Sequence, residues 1–118
     1  MRFLAKSLTL VVGFLVVSGC ASGSSETVPT DENVQVEIMQ DSGVGHFHRP
    51  AETVAAGGTV VWTNNSKYPH NVVFDEKSLK SSPLFNTGET YSLSFPNKGT
   101  FVYRCTLHPT MVGNITVN

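Results

Sequence analysis

Apolar and polar side chains alternate along several short stretches of the chain after residue 33. Val34, Val36 and Ile38 alternate with Gln35 and Glu37, which is the period-two pattern of a strand that buries one face. Similar patterns, rich in β-branched and aromatic residues, predict strands at 59–63, 70–74, 91–95 and 100–106, with shorter strands starting at Thr53 and Ile115.

Turn-forming residues separate these stretches. Gly, Asn, Asp and Pro cluster at 41–45, 64–66 and 96–99, and the stretches between them have no helical period of useful length. Many short strands at this spacing predict one all-β domain, a two-sheet sandwich, over residues 34–118. The side chain of Cys105 ends an inward-facing series, so its sulfur should point into one end of the sandwich.

The first 33 residues lack the alternating pattern of the rest of the chain. Residues 1–19 combine a basic start, an apolar run and a small-residue end, as secretory signal peptides do. Residues 17–20, which end at Cys20, resemble the bacterial lipobox, which implies cleavage before Cys20 and lipidation of its sulfur. A plain signal peptide or an uncleaved anchor is the alternative. Residues 20–33 are small and acidic, which predicts a flexible tether.

Charge and cysteine content narrow the function further. Between residues 34 and 118 six basic side chains balance six acidic ones, so the basic surface of a nucleic-acid-binding protein is not expected. The chain has two cysteines, Cys20 and Cys105. If Cys20 carries lipid, Cys105 has no disulfide partner, and an unpaired thiol in an oxidising compartment is a liability unless something such as a metal binds it.

Three potential metal ligands follow one another near the C-terminus. Cys105, His108 and Met111 lie three residues apart, and His70 starts another predicted strand that can reach the same end of the sandwich. One thiolate, two imidazoles and one thioether form a copper electron-transfer ligand set. Soft sulfur donors suit reduced copper, whereas imidazoles bind both oxidation states.

Four segments, 59–65, 69–74, 99–105 and 108–117, resemble the blue copper proteins, the cupredoxins, and in particular their plastocyanin- and amicyanin-like members. The resemblance implies a Greek-key β-sandwich with one type 1 copper. It implies that His70 and His108 bind copper through Nδ1, Cys105 through its thiolate and Met111 as the long axial ligand. It also implies a hydrogen bond from Asn71 toward Thr106 that ties the two ligand loops together.

We therefore expect a one-electron carrier, not an enzyme, that acts as a monomer. The lipid anchor would hold it at the periplasmic or cell-surface face of a bacterial membrane. Electrons would pass through the exposed edge of His108 to transient redox partners, which would dock on an apolar patch formed by Pro69, Leu107, Pro109 and Met39.

Several alternatives remain open from the sequence. A copper chaperone or storage module would use the same ligands without an electron-transfer role. Zinc suits one Cys and two His, although it would leave Met111 without a purpose. A copper oxidoreductase would need further His clusters or a second loop Cys, and a Cys105–His108 nucleophile would place two catalytic residues unusually close in sequence. His46 and His48 are either ordinary surface residues or a second metal site.

Overall fold

The computed structural model describes residues 33–118 and contains eight β-strands. In chain order they are β1 (Asn33–Asp41), β2 (Val44–His48), β3 (Ala51–Val54), β4 (Thr59–Asn64), β5 (Val73–Phe74), β6 (Thr90–Ser94), β7 (Gly99–Arg104) and β8 (Val112–Val117). The expected signal peptide, the lipobox with Cys20 and most of the tether lie outside the described residues. Between residues 33 and 118 there is no helix that could cross a membrane.

The strands form two four-stranded sheets, which confirms the predicted all-β sandwich. One sheet has the order β2-β1-β4-β6 and the other the order β3-β8-β7-β5. The β1–β4 and β3–β8 pairs are parallel, and the remaining neighbours are antiparallel. Chain neighbours β2 and β3, and likewise β4 and β5, lie in different sheets, so the connections cross repeatedly between the two layers.

Alternating apolar residues fill the space between the sheets. Val36 and Ile38 on β1 are fully buried, as the sequence pattern predicts. Trp62 on β4 packs edge-on against Tyr103 on β7, with ring centroids 5.3 Å apart, and against Phe74 on β5 at 5.9 Å. These edge-to-face contacts join one sheet to the other, because aromatic pairs prefer this arrangement and bury large areas.

The prediction of a turn at 41–45 is wrong in its extent. The turn contains only Ser42 and Gly43, both with positive φ, and the chain pairs again from Val44 onward as β2. The period-two signal of β2 is weak because its buried positions are held by Gly45 and Phe47, and a glycine carries no apolar side chain to mark the inward face.

The predicted strand at 70–74 is also shorter than expected, because only Val73–Phe74 pair as β5. The backbone N–H groups of Val72 and Phe74 donate to the hydroxyls of Ser82 and Ser81 at 2.8 and 3.1 Å. Side-chain hydroxyls therefore take the place of a neighbouring strand on this edge. His70 forms an isolated bridge with Phe85 instead of starting a ladder.

Candidate metal centre

Three of the predicted ligands meet at one end of the sandwich. The Nδ1 atoms of His70 and His108 each lie 3.7 Å from the sulfur of Cys105. The three donor atoms all lie within 4.8 Å of one another, and no other group of three His, Cys, Asp or Glu side chains between residues 33 and 118 comes together in this way. The side chains of His70 and Cys105 are completely buried, whereas His108 is half-buried.

The loop that carries Cys105, His108 and Met111 is closed by its own backbone. The N–H of Met111 donates to the carbonyl of His108 at 2.8 Å, and the N–H of Cys105 donates to the carbonyl of Met111 at 3.1 Å. β7 ends at Arg104 and β8 starts at Val112, so the loop spans the gap between two antiparallel neighbours. Its length and its internal hydrogen bonds therefore fix three donor side chains in one small unit.

His70 reaches the site from the other side through a separate set of bonds. Its N–H donates to the carbonyl of Phe85 at 3.2 Å and its carbonyl accepts from the N–H of Phe85 at 2.9 Å. Its Nε2 lies 2.7 Å from the hydroxyl of Ser66. Burial, and secondarily the neighbouring His108, lowers the pKa of His70 below its usual value, so the ring stays neutral and can offer a lone pair at neutral pH.

Met111 is 1% exposed, and its sulfur and the ring of His70 both lie close to Gly45. A Cβ atom built on Gly45 would lie 2.8 Å from the Met111 sulfur and 3.1 Å from Cε1 of His70. Any residue larger than glycine at this position in β2 would therefore push into both side chains. The close approach of the β2 backbone keeps the thioether beside the ring of His70.

Asn71 connects the two ligand-bearing segments. Its amide Nδ2 donates to the hydroxyl of Thr106 at 2.8 Å, and the backbone N–H of Thr106 donates to its Oδ1 at 2.9 Å. Asn71 follows His70 directly and Thr106 follows Cys105 directly, so this reciprocal pair of hydrogen bonds fixes the separation of two donor residues.

The separations between the sulfur and the two nitrogens fit a bound metal ion. Bonds of about 2.0 Å to nitrogen and about 2.3 Å to sulfur, at an angle of roughly 120°, place nitrogen and sulfur about 3.7 Å apart. The observed separations of 3.7 Å agree with this value. A thiolate, two imidazoles in a trigonal set and a nearby thioether are the donors of blue copper centres. Zinc would use the first three donors but has no preference for a thioether.

His46 and His48 lie apart from this centre. Both point away from the core on β2, where Phe47 between them is buried. His46 Nε2 lies 3.5 Å from a carboxylate oxygen of Asp41, and His48 is paired across the strands with Glu37. A second metal at His46 and His48 stays a prediction.

Two residues next to the donors had no functional signal in the sequence. The sequence places Gly45 in the predicted turn at 41–45 and Ser66 in the predicted turn at 64–66. A small residue at a buried strand position is the single hint for Gly45. The hydrogen bond from Ser66 to His70 depends on the folded path of the turn, which no spacing rule predicts.

Comparisons with known proteins agree with this geometry. Residues 34–118 match the family model described as copper binding proteins of the plastocyanin/azurin family. The chain is 39% identical to plastocyanin of Scenedesmus fuscus over 97 residues, which covers 72% of this chain and 99% of that protein. It is 34% identical to amicyanin-alpha of Methylorubrum extorquens over 124 aligned positions, covering 99% of both chains.

A solved structure is similar as well. A purple cupredoxin from Nitrosopumilus maritimus superposes with a TM-score of 0.65 at 30% sequence identity, and the match covers 73% of this chain and all of that one.

Proposed function

The chain belongs to the plastocyanin/azurin family of copper-binding proteins, and from that premise we propose how its residues hold the metal and exchange electrons. It is a mononuclear blue copper protein that carries one electron at a time between redox partners, with His70, Cys105, His108 and Met111 around one copper. Copper, when bound, supplies the Cu(I)/Cu(II) couple. The side chains bind the metal, hold its geometry and connect it to the surface.

We assign the strong bonds to the Cys105 thiolate and the Nδ1 atoms of His70 and His108, and the weak axial bond to Met111. The single observation that carries this assignment is that the Nδ1 atoms of both histidines face the Cys105 sulfur, each at 3.7 Å. The loop hydrogen bonds and the Asn71–Thr106 pair hold this spacing in the protein itself. A site that need not rearrange between oxidation states has a small barrier to electron transfer.

Electrons enter and leave through the ring of His108. His70, Cys105 and Met111 are each at most 1% exposed, whereas His108 is half-buried and reaches the surface. Leu107 beside it is 50% exposed, Pro109 is exposed, and Pro69 is half-buried. We propose that these residues, together with Met39, form a small apolar docking patch, which suits the short-lived encounters of redox proteins.

The surroundings of the patch give little electrostatic steering. Six acidic and six basic side chains balance between residues 34 and 118, and Arg104 is paired with Asp75 at 2.7 Å. Association should therefore depend weakly on ionic strength, since only a net field steers partners over long distances.

Export and anchoring are proposals that rest on the sequence of residues 1–33. A signal peptide over residues 1–19, lipidation of Cys20 and a tether over residues 20–33 would place the domain on the periplasmic or cell-surface face of a bacterial membrane. We propose that the domain works there as a monomer, binds no nucleic acid and catalyses no reaction of its own.

Voltammetry of the copper-loaded domain tests this function. We expect a reversible one-electron response with copper retained through repeated cycles, and fast electron exchange with a small haem protein that changes little between low and high salt. Loss of copper to an apo acceptor on reduction, together with slow electron exchange, would instead support a copper chaperone or store.

A further inference from the structure

A buried hydroxyl faces the side of His70 that points away from the metal centre. The Ser66 Oγ lies 2.7 Å from Nε2 of His70, and the two residues are 3% and 0% exposed. His70 thus has one ring nitrogen directed at the Cys105 sulfur and the other at a serine hydroxyl that water does not reach. Which of the two nitrogens carries the proton decides whether His70 can bind a metal through Nδ1.

The neighbours of Ser66 determine where its single hydroxyl proton goes. The amide Nδ2 of Asn64 donates to the carbonyls of Tyr68 and Phe85 at 2.8 and 3.0 Å, which fixes the orientation of that side chain. Its Oδ1 therefore faces Ser66, where it lies 2.8 Å from the hydroxyl and accepts from the Ser66 backbone N–H at 2.9 Å. Asn64 Oδ1 can only accept.

The other partners of the Ser66 hydroxyl also favour a proton that points away from His70. It lies 3.0 Å from the carbonyl of Tyr68, another pure acceptor, and accepts from the Tyr68 N–H at 3.2 Å. A serine hydroxyl donates one hydrogen bond and accepts up to two. If its proton goes to Asn64 or the Tyr68 carbonyl, both acceptor positions remain for the Tyr68 N–H and for an N–H on Nε2 of His70.

We propose that Ser66, oriented by Asn64, is a positioning residue that keeps the proton of His70 on Nε2 and leaves Nδ1 free toward the Cys105 sulfur. The inference rests on the proposed function of the same site and adds a residue that helps to set its reduction potential. Hydrogen bonds from the outer nitrogen of a ligating histidine fix its tautomer and make it a stronger donor.

A stronger imidazole donor stabilises oxidised copper more than reduced copper, because the higher charge gains more from electron donation. Loss of an outer hydrogen-bond partner typically weakens metal binding about 10- to 100-fold. We therefore expect Ser66→Ala to weaken Cu(II) binding by about this factor and Cu(I) binding much less. If the whole loss falls on Cu(II), the potential rises by roughly 60 to 120 mV, at 59 mV per factor of ten.

Two variants make the comparison specific. Ser66→Thr keeps the hydroxyl and should restore the potential and the Cu(II) affinity toward the unchanged protein. Asn65→Ala is the matched control, because Asn65 is exposed and its backbone N–H bond to Ile38 at 2.9 Å survives the change. A potential in Ser66→Ala equal to that of Asn65→Ala would overturn the proposal.

A measurement on the unchanged protein decides the question even if Ser66→Ala does not fold. In the metal-free domain, where no copper bond fixes the tautomer, ¹⁵N NMR of the histidine rings should show the proton of His70 on Nε2, facing Ser66. A proton-free Nε2 would overturn the role of Ser66. The proposed function is tested separately. If the unchanged protein does not form a blue copper centre, the function is refuted, whatever the variants show.

Discussion

Replacing Gly45 by Ala tests whether close packing by β2 sets the position of Met111. The added Cβ would lie 2.8 Å from the Met111 sulfur and 3.1 Å from Cε1 of His70. Ordinary non-bonded contacts between heavy atoms are about 3.5–4.0 Å, so the thioether must move by about 1 Å and the imidazole by about half as much. Overpacking of this kind typically costs about 1–3 kcal/mol.

The methionine should be the side chain that yields. His70 is held by its bridge to Phe85 and by the hydroxyl of Ser66, whereas Met111 has three rotatable bonds and adapts easily. A displaced thioether is a weaker axial donor, and its loss harms the oxidised state more than the reduced state. We expect a lower stability of the apo domain and a higher reduction potential of the copper form.

Gly43→Ala is the control in the same hairpin. Its φ of +85° disfavours an L side chain, so this change also costs stability, by about 1–2 kcal/mol, but its Cβ would meet nothing within 4 Å. Urea unfolding of the apo forms and voltammetry of the copper forms separate the two effects. The packing argument fails if Gly45→Ala keeps the unchanged potential, or if Gly43→Ala shifts it equally.

Three further changes test other parts of the account. Met111→Leu should keep copper bound and raise the potential, since a weak donor to the oxidised state is lost; a lower or unchanged potential in voltammetry would show that the thioether is only core packing. Asn71→Ala removes both hydrogen bonds to Thr106, and we expect it to lower the unfolding free energy of the copper form by about 1 kcal/mol, against no effect in Asn65→Ala; equal unfolding midpoints in the two variants would refute the role of Asn71 as a link. Cys20→Ala should yield an unlipidated product or one that retains its signal peptide, and mass spectrometry that finds the same lipidated mature protein would exclude Cys20 as the anchor.

Much of the fold follows from the sequence because its strands have one buried and one exposed face. Val36 and Ile38 on β1, and Ile115 and Val117 on β8, are buried as their alternation predicts. The pattern fails where backbone contacts replace apolar side chains. β2 has Gly45 at an inward position, so its period-two signal is weak. Residues 70–74 do alternate, but serine hydroxyls accept from two of their N–H groups, so the pattern overstates the length of β5.

The site is predictable to the extent that its donors are chemically distinctive. A Cys, a His and a Met at equal spacing with a second His upstream indicate copper before any coordinates are known. The residues that support the donors are not distinctive. Ser66 and Gly45 are common turn residues. The role of Ser66 arises from the path of the turn that leads to His70, and the role of Gly45 from its close approach to Met111, which is far away in sequence.

The visible absorption spectrum of the copper-loaded domain tests the central claim most directly, with the unchanged protein measured beside Cys105→Ser. The account predicts an intense thiolate-to-copper charge-transfer band in the unchanged protein. It predicts that the band is absent in Cys105→Ser, because a hydroxyl is a poor copper ligand and cannot supply the charge transfer, while far-ultraviolet circular dichroism still shows a β-sandwich. Absence of the band from the unchanged protein, or an unchanged band in the folded variant, would contradict the account.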